Sequence, residues 1–97
     1  MIIVAGRIST AAGRRDAFVT TSIEAVAAAR GAPGGLDVVV AADPIDPDRV
    51  NVYEWWTSVA ALEDFRGEGE GEGPGPELAA DIVTAAVAQY EVRQPAS

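Results

Sequence analysis

Residues 49–66 read RVNVYEWWTSVAALEDFR, and this stretch decides the fold. Its first half, residues 49–56, is rich in β-branched and aromatic side chains, which is typical of a strand. Two sets of side chains then fall on opposite faces: Val50, Val52, Glu54 and Trp56 on one, and Asn51, Tyr53 and Trp55 on the other. Thr57 or Ser58 can cap a helix over residues 59–66. The stretch therefore predicts a strand that leads directly into a short helix.

Three more elements are predicted on the N-terminal side of this stretch. Residues 2–8 and 36–42 are apolar and rich in branched side chains, which indicates two strands. Between them, residues 14–30 have helical spacing of apolar positions, with Ser9 or Thr10 as the expected cap. One stripe of side chains follows helical spacing: Val19, Ile23, Val26 and Arg30. Phe18 and Ser22 lie beside this stripe.

The C-terminal third begins with a low-complexity segment. Residues 67–76 read GEGEGEGPGP, and such a composition cannot bury a core, so we expect a flexible loop. A further helix over residues 77–86 and a last strand over residues 87–93 are predicted to follow, and residues 94–97 form a tail. Residues 1–97 thus make one domain, since a chain of this length has no room for two.

The predicted order is β-α-β-β-α-α-β, in the α+β class. Two split β-α-β units give an antiparallel sheet with helices on one face, which is the ferredoxin-like plait. The other sheet face is left open, and Tyr53 and Trp55 make it aromatic. An exposed apolar patch of this kind indicates an interface. We therefore expect a homodimer in which two sheets pack face to face.

Composition excludes several classes of function. The chain has 15 acidic and 7 basic residues, a net charge of −8, no cysteine and no histidine. Nucleic-acid binding is not expected, because it rests on cation–phosphate pairing. The commonest metal and haem ligands, histidine and cysteine, are missing, which argues against a zinc, iron–sulfur or haem centre. No apolar run is long enough to span a membrane and the N-terminus does not resemble a signal peptide, so the expected location is cytoplasmic.

The sequence resembles the antibiotic biosynthesis monooxygenase family, whose members are small dimeric α/β barrels. The resemblance covers nearly the whole chain. It rests on the first strand at 2–8, Ala-Ala-Arg at 28–30, Gly-Leu at 35–36, Asp-Pro at 43–44 and above all residues 53–62. That last stretch, YEWWTSVAAL, is similar to the family's Glu-x-Trp-x-Ser-x-x-Ala-Leu segment.

Two departures from the family pattern argue against haem degradation. Family members usually carry a histidine shortly after the Ala-Leu pair, but residues 62–66 here read LEDFR. The haem-degrading relatives also need an asparagine on the first strand, where this chain has Gly6 or Arg7. The resemblance then implies cofactor-free oxygenation, in which a phenolic or quinol-type substrate loses a proton and itself reduces molecular oxygen.

Glu54 and Trp56 are the predicted catalytic residues. A flat, polyketide-like aromatic substrate would stack on Trp56, although a core tryptophan fits the same pattern. Glu54 would act as a base or orienting group; the alternative is a structural ion pair with Arg30 or Arg66, since a carboxylate between sheet and helices needs a partner.

Asn51, Phe65 and Tyr90 are predicted to contact the substrate with Trp56. Two other functions remain open at this point. One is a non-catalytic small-molecule-binding or structural dimer of the same fold. The other is an isomerase or cyclase, for which Glu54 is the one plausible base.

Overall fold

Four antiparallel strands and two helices make up the part of the chain that this computed structural model describes, residues 1–67 and 80–93. In chain order they are β1 (Ile2–Thr10), α1 (Arg15–Gly31), β2 (Gly35–Ala42), β3 (Arg49–Trp56), α2 (Val59–Arg66) and β4 (Ile82–Glu91).

The sheet has the strand order β2-β3-β1-β4, and every neighbouring pair is antiparallel. The two helices lie on one face. This confirms the predicted α+β, ferredoxin-like fold. β3 is central, because it pairs with β1 on one side and β2 on the other. Glu54 faces Val4 across the first pairing and Val38 across the second.

The β3–α2 unit has the predicted bounds. The Ser58 side chain accepts a hydrogen bond from the backbone N–H of Ala61 at 3.1 Å, so Ser58 caps α2 as expected. The predicted cap of α1 is wrong. β1 continues to Thr10, and Arg14 takes the N-cap position without a side-chain hydrogen bond.

The predicted helix over residues 77–86 is also wrong where the structure describes it. Residues 82–86 belong to β4, which begins five residues before the predicted strand at 87–93 and pairs with β1 along most of its length. Residues 77–79, most of the predicted loop at 67–76 and the tail at 94–97 lie outside the described residues.

The core lies between the sheet and the helices, in two clusters. One surrounds Trp56 and the other surrounds Phe18. Their buried members are Ile2, Val4, Ala29, Val38, Trp56 and Leu62 in the first, and Ile8, Phe18 and Val50 in the second. The alternation predicted for β3 is therefore confirmed on this face, and β1 alternates in the same way.

α1 is rotated relative to the prediction. Phe18, Ser22 and Ala29 are its buried residues, whereas Ile23 is 59% exposed. The inward stripe is thus centred on the large Phe18 ring, and the stripe that contains Ile23 lies toward the edge of the sheet. Burial of the Phe18 ring outweighs burial of Ile23, which lies five positions further along the helix and on a different face.

The turn before β2 brings α1, α2 and β3 together. Gly34 has φ +81° and its carbonyl accepts a hydrogen bond from the Thr57 N–H at 2.9 Å. A Cβ at Gly35 would clash with the Ala29 carbonyl and lie 3.3 Å from the Trp56 ring. Glycine at these two positions therefore allows the end of α1 to approach the Trp56 end of β3 closely.

No helix among the described residues combines the length and apolar character needed to cross a membrane. The sheet face opposite the helices carries Tyr53, Trp55 and, on β4, Tyr90, which is 53% exposed.

Candidate functional site

An apolar cavity of about 180 Å³ lies between the sheet, α1 and α2. We call it the inner cavity. Its lining comes from three strands and both helices: Ile8, Phe18, Ser22, Ala25, Val26, Ala29, Val38, Val40, Val52, Glu54 and Phe65. Among these described residues, Glu54 is the one with an ionisable side chain. One carboxylate therefore faces an otherwise neutral and mostly apolar space.

Two groups hold the Glu54 carboxylate. Its Oε1 accepts a hydrogen bond from the indole Nε1–H of Trp56 at 2.9 Å. Its Oε2 lies 3.9 Å from Nη2 of Arg66, and the two side chains are 18% and 32% exposed. A partly exposed pair at this distance is weak, so the indole is the main positioning contact. Of the two arginines predicted as partners, Arg66 is found there, whereas Arg30 lies 3.8 Å from Asp37.

Trp56 itself belongs to the core. It has no exposed surface, and its ring centroid is 5.3 Å from that of Phe65, with the planes tilted by 35°. The surroundings of Trp56 are thus those of a core tryptophan. Its contribution to the site is the N–H that it donates to Glu54. The aromatic ring that lines the cavity and remains partly exposed, at 37%, is Phe65.

Asn51 and Tyr90 lie away from this cavity, in contrast to the prediction. Asn51 follows the opposite alternation from Glu54 on β3, and Tyr90 pairs with Ile3 on the same open face as Trp55. Alternation along β3 had already separated Asn51 from Glu54, and for Tyr90 the predicted strand at 87–93 was not placed in register with β1. Neither side chain can share a pocket with Glu54 within one chain.

Asn51 instead supports the loop between β2 and β3. Its Nδ2 donates to Oδ1 of Asp43 at 2.9 Å. The backbone N–H of Asp46, the Asn51 amide and the backbone N–H of Ile45 lower the pKa of Asp43 from 3.8 to about 2. This network closes a turn and holds one end of the sheet.

The sequence interpretation missed the contribution of α1 to the site. The cavity exists because Ser22, Ala25 and Ala29 are small where α1 crosses the sheet. Small residues at a spacing of three and four on one helix face were the available signal. Ser22 is buried, and its hydroxyl donates to the Val19 carbonyl at 2.7 Å, so it introduces no unpaired polar group.

A resident metal has no evident ligand set here. Among the described residues, no group of three or more acidic, histidine or cysteine side chains is arranged to hold an ion. Glu54 is the one carboxylate among the described residues that line the inner cavity.

Comparison with known proteins agrees with this architecture. The model of the antibiotic biosynthesis monooxygenase family matches residues 1–70, and no curated protein sequence matches the chain. A solved protein from Chloroflexus aurantiacus J-10-fl, assigned to that family, superposes with a TM-score of 0.78 at 23% identity, covering 99% of this chain and 96% of its own.

Two further structures show the same fold. One is from Nitrosomonas europaea and assigned to the same family, with a TM-score of 0.82 at 14% identity, covering 95% of this chain and 98% of its own. The other is a conserved protein from Methanosarcina mazei Go1, with a TM-score of 0.80 at 14% identity, covering 95% of this chain and 92% of its own. At these identities the likeness establishes fold. The family model, which spans well over half of the sequence, shows that the chain belongs to the antibiotic biosynthesis monooxygenase family.

Proposed function

We propose that this protein is a cofactor-independent monooxygenase that oxygenates a small aromatic molecule of the quinol or anthrone type. The observation that carries the proposal is one carboxylate, Glu54, fixed by an indole N–H and facing an apolar cavity. Such an arrangement suits proton abstraction from a flat, weakly acidic substrate.

The chemistry balances without an added reductant. Glu54 takes a proton from the activated carbon of an anthrone-type substrate and leaves a delocalised carbanion. The carbanion passes one electron to O₂, and the two radicals combine to form a carbon–oxygen bond. Glu54 returns the proton to the resulting peroxide, which then loses water and leaves a carbonyl. In sum, CH₂ and O₂ become C=O and H₂O.

The cavity supplies the remaining requirements. Its apolar walls admit both the ring and O₂, and a bound ring would displace water from beside the anion. Phe65 offers an aromatic surface for stacking. A cavity of roughly 150 Å³ can hold benzene. The inner cavity, at about 180 Å³, therefore suits one aromatic ring, and a larger substrate such as an anthrone requires α2 to move outward.

The proposal includes a homodimer formed through the open sheet face. Tyr53 and Trp55 lie there beside Ile3, Ala5 and Val39, and the two helices lie on the other face. Two such faces in contact would bury aromatic surface and give the dimeric α/β barrel expected from the resemblance. We expect the dimer to act in the cytoplasm on a polyketide-like substrate.

A non-catalytic binding protein of the same fold is the second candidate. The observation that favours it is that both Glu54 oxygens already have partners, Trp56 and Arg66. In that case the carboxylate would orient a bound phenol by accepting a hydrogen bond from the phenol's hydroxyl group. An isomerase or cyclase would also use Glu54, but would consume no oxygen.

Oxygen uptake with a panel of naphthoquinols and anthrones tests the proposal. We expect uptake above the uncatalysed rate that persists with strong chelators and falls by at least about a hundredfold in Glu54→Gln. Glu63→Gln, an exposed change on α2, is the matched control and should retain full activity. Substrate turnover without oxygen consumption would identify the isomerase or cyclase. Binding without any turnover would identify the non-catalytic protein.

A further inference from the structure

A second cavity, of about 220 Å³, lies against α1 at the free edge of β2. We call it the outer cavity. It is lined by the α1 stripe that the sequence had assigned to the core, together with β2: Val19, Ser22, Ile23, Val26, Ala27, Arg30, Val39 and Val40. Three of these residues, Ser22, Val26 and Val40, line the inner cavity as well. The two cavities are therefore neighbours beneath α1.

The partition between the cavities is thin. Ser22 is buried but small, and Val26 and Val40 are both only partly buried. The two linings meet at these three side chains, so a molecule longer than one ring would pass them to reach the edge of β2 from the inner cavity.

Arg30 lies at that edge and has hydrogen-bond donors that the described residues do not use. Of the described residues that line the outer cavity, it alone carries a charge. Its Nε donates to the Val38 carbonyl at 2.8 Å, which fixes the guanidinium against the free edge of β2. Neither Nη group makes a hydrogen bond within the described part of the chain, and the side chain is 54% exposed. Two fixed amino groups remain available to an anion.

Arg30 and Glu54 lie in the same cross-strand row. Val38, which holds Arg30, is the direct partner of Glu54 across the β2–β3 pairing. Neighbouring strands are ~4.8 Å apart, so the backbones of Val38 and Glu54 are one strand spacing apart, and the Arg30 Nε lies 2.8 Å beyond the Val38 carbonyl. In this row Glu54 is the proposed proton acceptor, and Arg30 can attract a negatively charged group.

The surroundings limit the strength of this site. The chain has a net charge of −8, which repels anions in general, so a local cation is needed to receive one. Asp37 lies 3.8 Å from the Arg30 Nε and offsets part of its charge. The Asp37 Oδ1 also accepts the Val38 N–H at 2.9 Å, so this carboxylate is tied to the strand edge.

We propose that the outer cavity is an anion subsite in which Arg30 selects substrates that carry a carboxylate on a short chain attached to the aromatic ring. The ring occupies the inner cavity with its acidic group toward Glu54, and the carboxylate reaches Arg30. The identity of the reacting ring rests on the proposed function; the subsite itself does not. Arg30 acts as a specificity residue and has no part in proton transfer.

Calorimetry with 3-(4-hydroxyphenyl)propanoate and its methyl ester tests the subsite. The two ligands share the phenol and the chain length and differ in charge. We expect the acid to bind at least about tenfold more tightly than the ester, and Arg30→Gln to abolish this preference while the affinity for the ester stays unchanged. Arg30→Lys should retain part of the preference, and Asp37→Asn should increase it. Added salt should weaken binding of the acid alone.

Arg14→Gln is the matched control, because Arg14 is also on the α1 side, is equally exposed at 53% and pairs with an aspartate, Asp81. It should leave both affinities unchanged. Equal binding of acid and ester to the native protein, no binding of the acid at millimolar concentration, or an equal loss for both ligands in Arg30→Gln would overturn the subsite. Thermal melting checks that each variant is folded.

This experiment is independent of oxygen chemistry, since the simple phenol is bound without being oxidised. An Arg30-dependent preference with no oxygen uptake on any substrate would refute the monooxygenase and leave the subsite standing. Oxygen uptake that is equally fast with and without a carboxylate on the substrate, and unchanged in Arg30→Gln, would refute the subsite and leave the monooxygenase standing.

Discussion

Two adjacent tryptophans on β3 have opposite surroundings. Trp56 has no exposed surface and donates its indole N–H to the Glu54 carboxylate. Trp55 is partly exposed on the open sheet face and donates its N–H to the sulfur of Met1 at 3.1 Å. One side chain orients a charged group between the sheet and the helices, and the other contributes to a sheet face on which none of the described helices packs.

The difference shows how a strand with a period of two separates two functions. Every second residue of β3 contributes to the core and the inner cavity, and the residues between them form the open face. β3 is paired on both sides, so neither set can shift without breaking two ladders. The site and the proposed dimer surface are thus held by the same backbone and can be altered independently.

The largest effect should come from truncating the two tryptophans separately. Trp56→Ala should lower the free energy of unfolding by about 3–5 kcal/mol, because it empties the centre of the core. Trp55→Ala should cost roughly 1–2 kcal/mol in the monomer, since its ring is partly exposed. Urea denaturation at low protein concentration measures both. Equal losses would contradict the separation of the two faces.

The next effect should appear in the association state. Trp55→Lys places a charge in the proposed dimer surface, and we expect the molar mass from light scattering to fall from dimer to monomer at micromolar concentration. Ile45→Lys is the control, because Ile45 is 90% exposed on the β2–β3 loop and should not affect association. A native protein that is already monomeric would remove the open face from consideration as an interface.

Glu54 should affect turnover far more than stability. Glu54→Gln keeps an oxygen that can accept the Trp56 N–H and loses a partly exposed ion pair with Arg66, which is worth about 1 kcal/mol or less. Glu54→Leu should cost roughly 1–3 kcal/mol, because it leaves the buried indole N–H without a partner. Thermal melting distinguishes the two variants, and an early melt for Glu54→Gln would make the carboxylate a structural group.

The smallest effect should be a loss of stability in acid, away from both faces. The pKa of Asp43 is lowered to about 2 in the folded chain, against an ordinary value of 3.8. Its contribution is therefore complete above about pH 4 and is lost as the pH falls toward 2. Asp43→Asn should flatten that part of the curve of melting temperature against pH. An unchanged curve would assign the acid sensitivity to other carboxylates.

Sequence reasoning succeeded where local and long-range preferences agree. The β-branched and aromatic residues of β3 predict its faces correctly, and the Ser58 cap marks the start of α2. It failed at residues 82–86, where IVTAA includes two alanines and is compatible with a helix. Ile82, Val83 and Thr84 are β-branched and favour a strand, so the local signal is mixed, and pairing with β1, more than seventy residues away, decides the strand there.

The site was predicted in part for a similar reason. Glu54 and Phe65 come from the stretch that decides the fold, so both lie at the cavity. Tyr90 depended on the register of β4, which a sequence cannot provide without its partner strand. The cavity itself depends on how far α1 is rotated about its axis, and the competition between Phe18 and Ile23 for burial settles that only when the helix meets the sheet.

The hydrogen bond between Trp56 and Glu54 also gives the protein an internal optical reporter. Indole emission depends on the electric field along the ring, and here a carboxylate lies 2.9 Å from the ring nitrogen. The chain has two tryptophans, so Trp55→Phe leaves a single emitter that contacts the proposed base. Its spectrum would report each change in the charge of Glu54, whether from pH or from a bound phenol, without a label and on the time scale of a stopped-flow mixer.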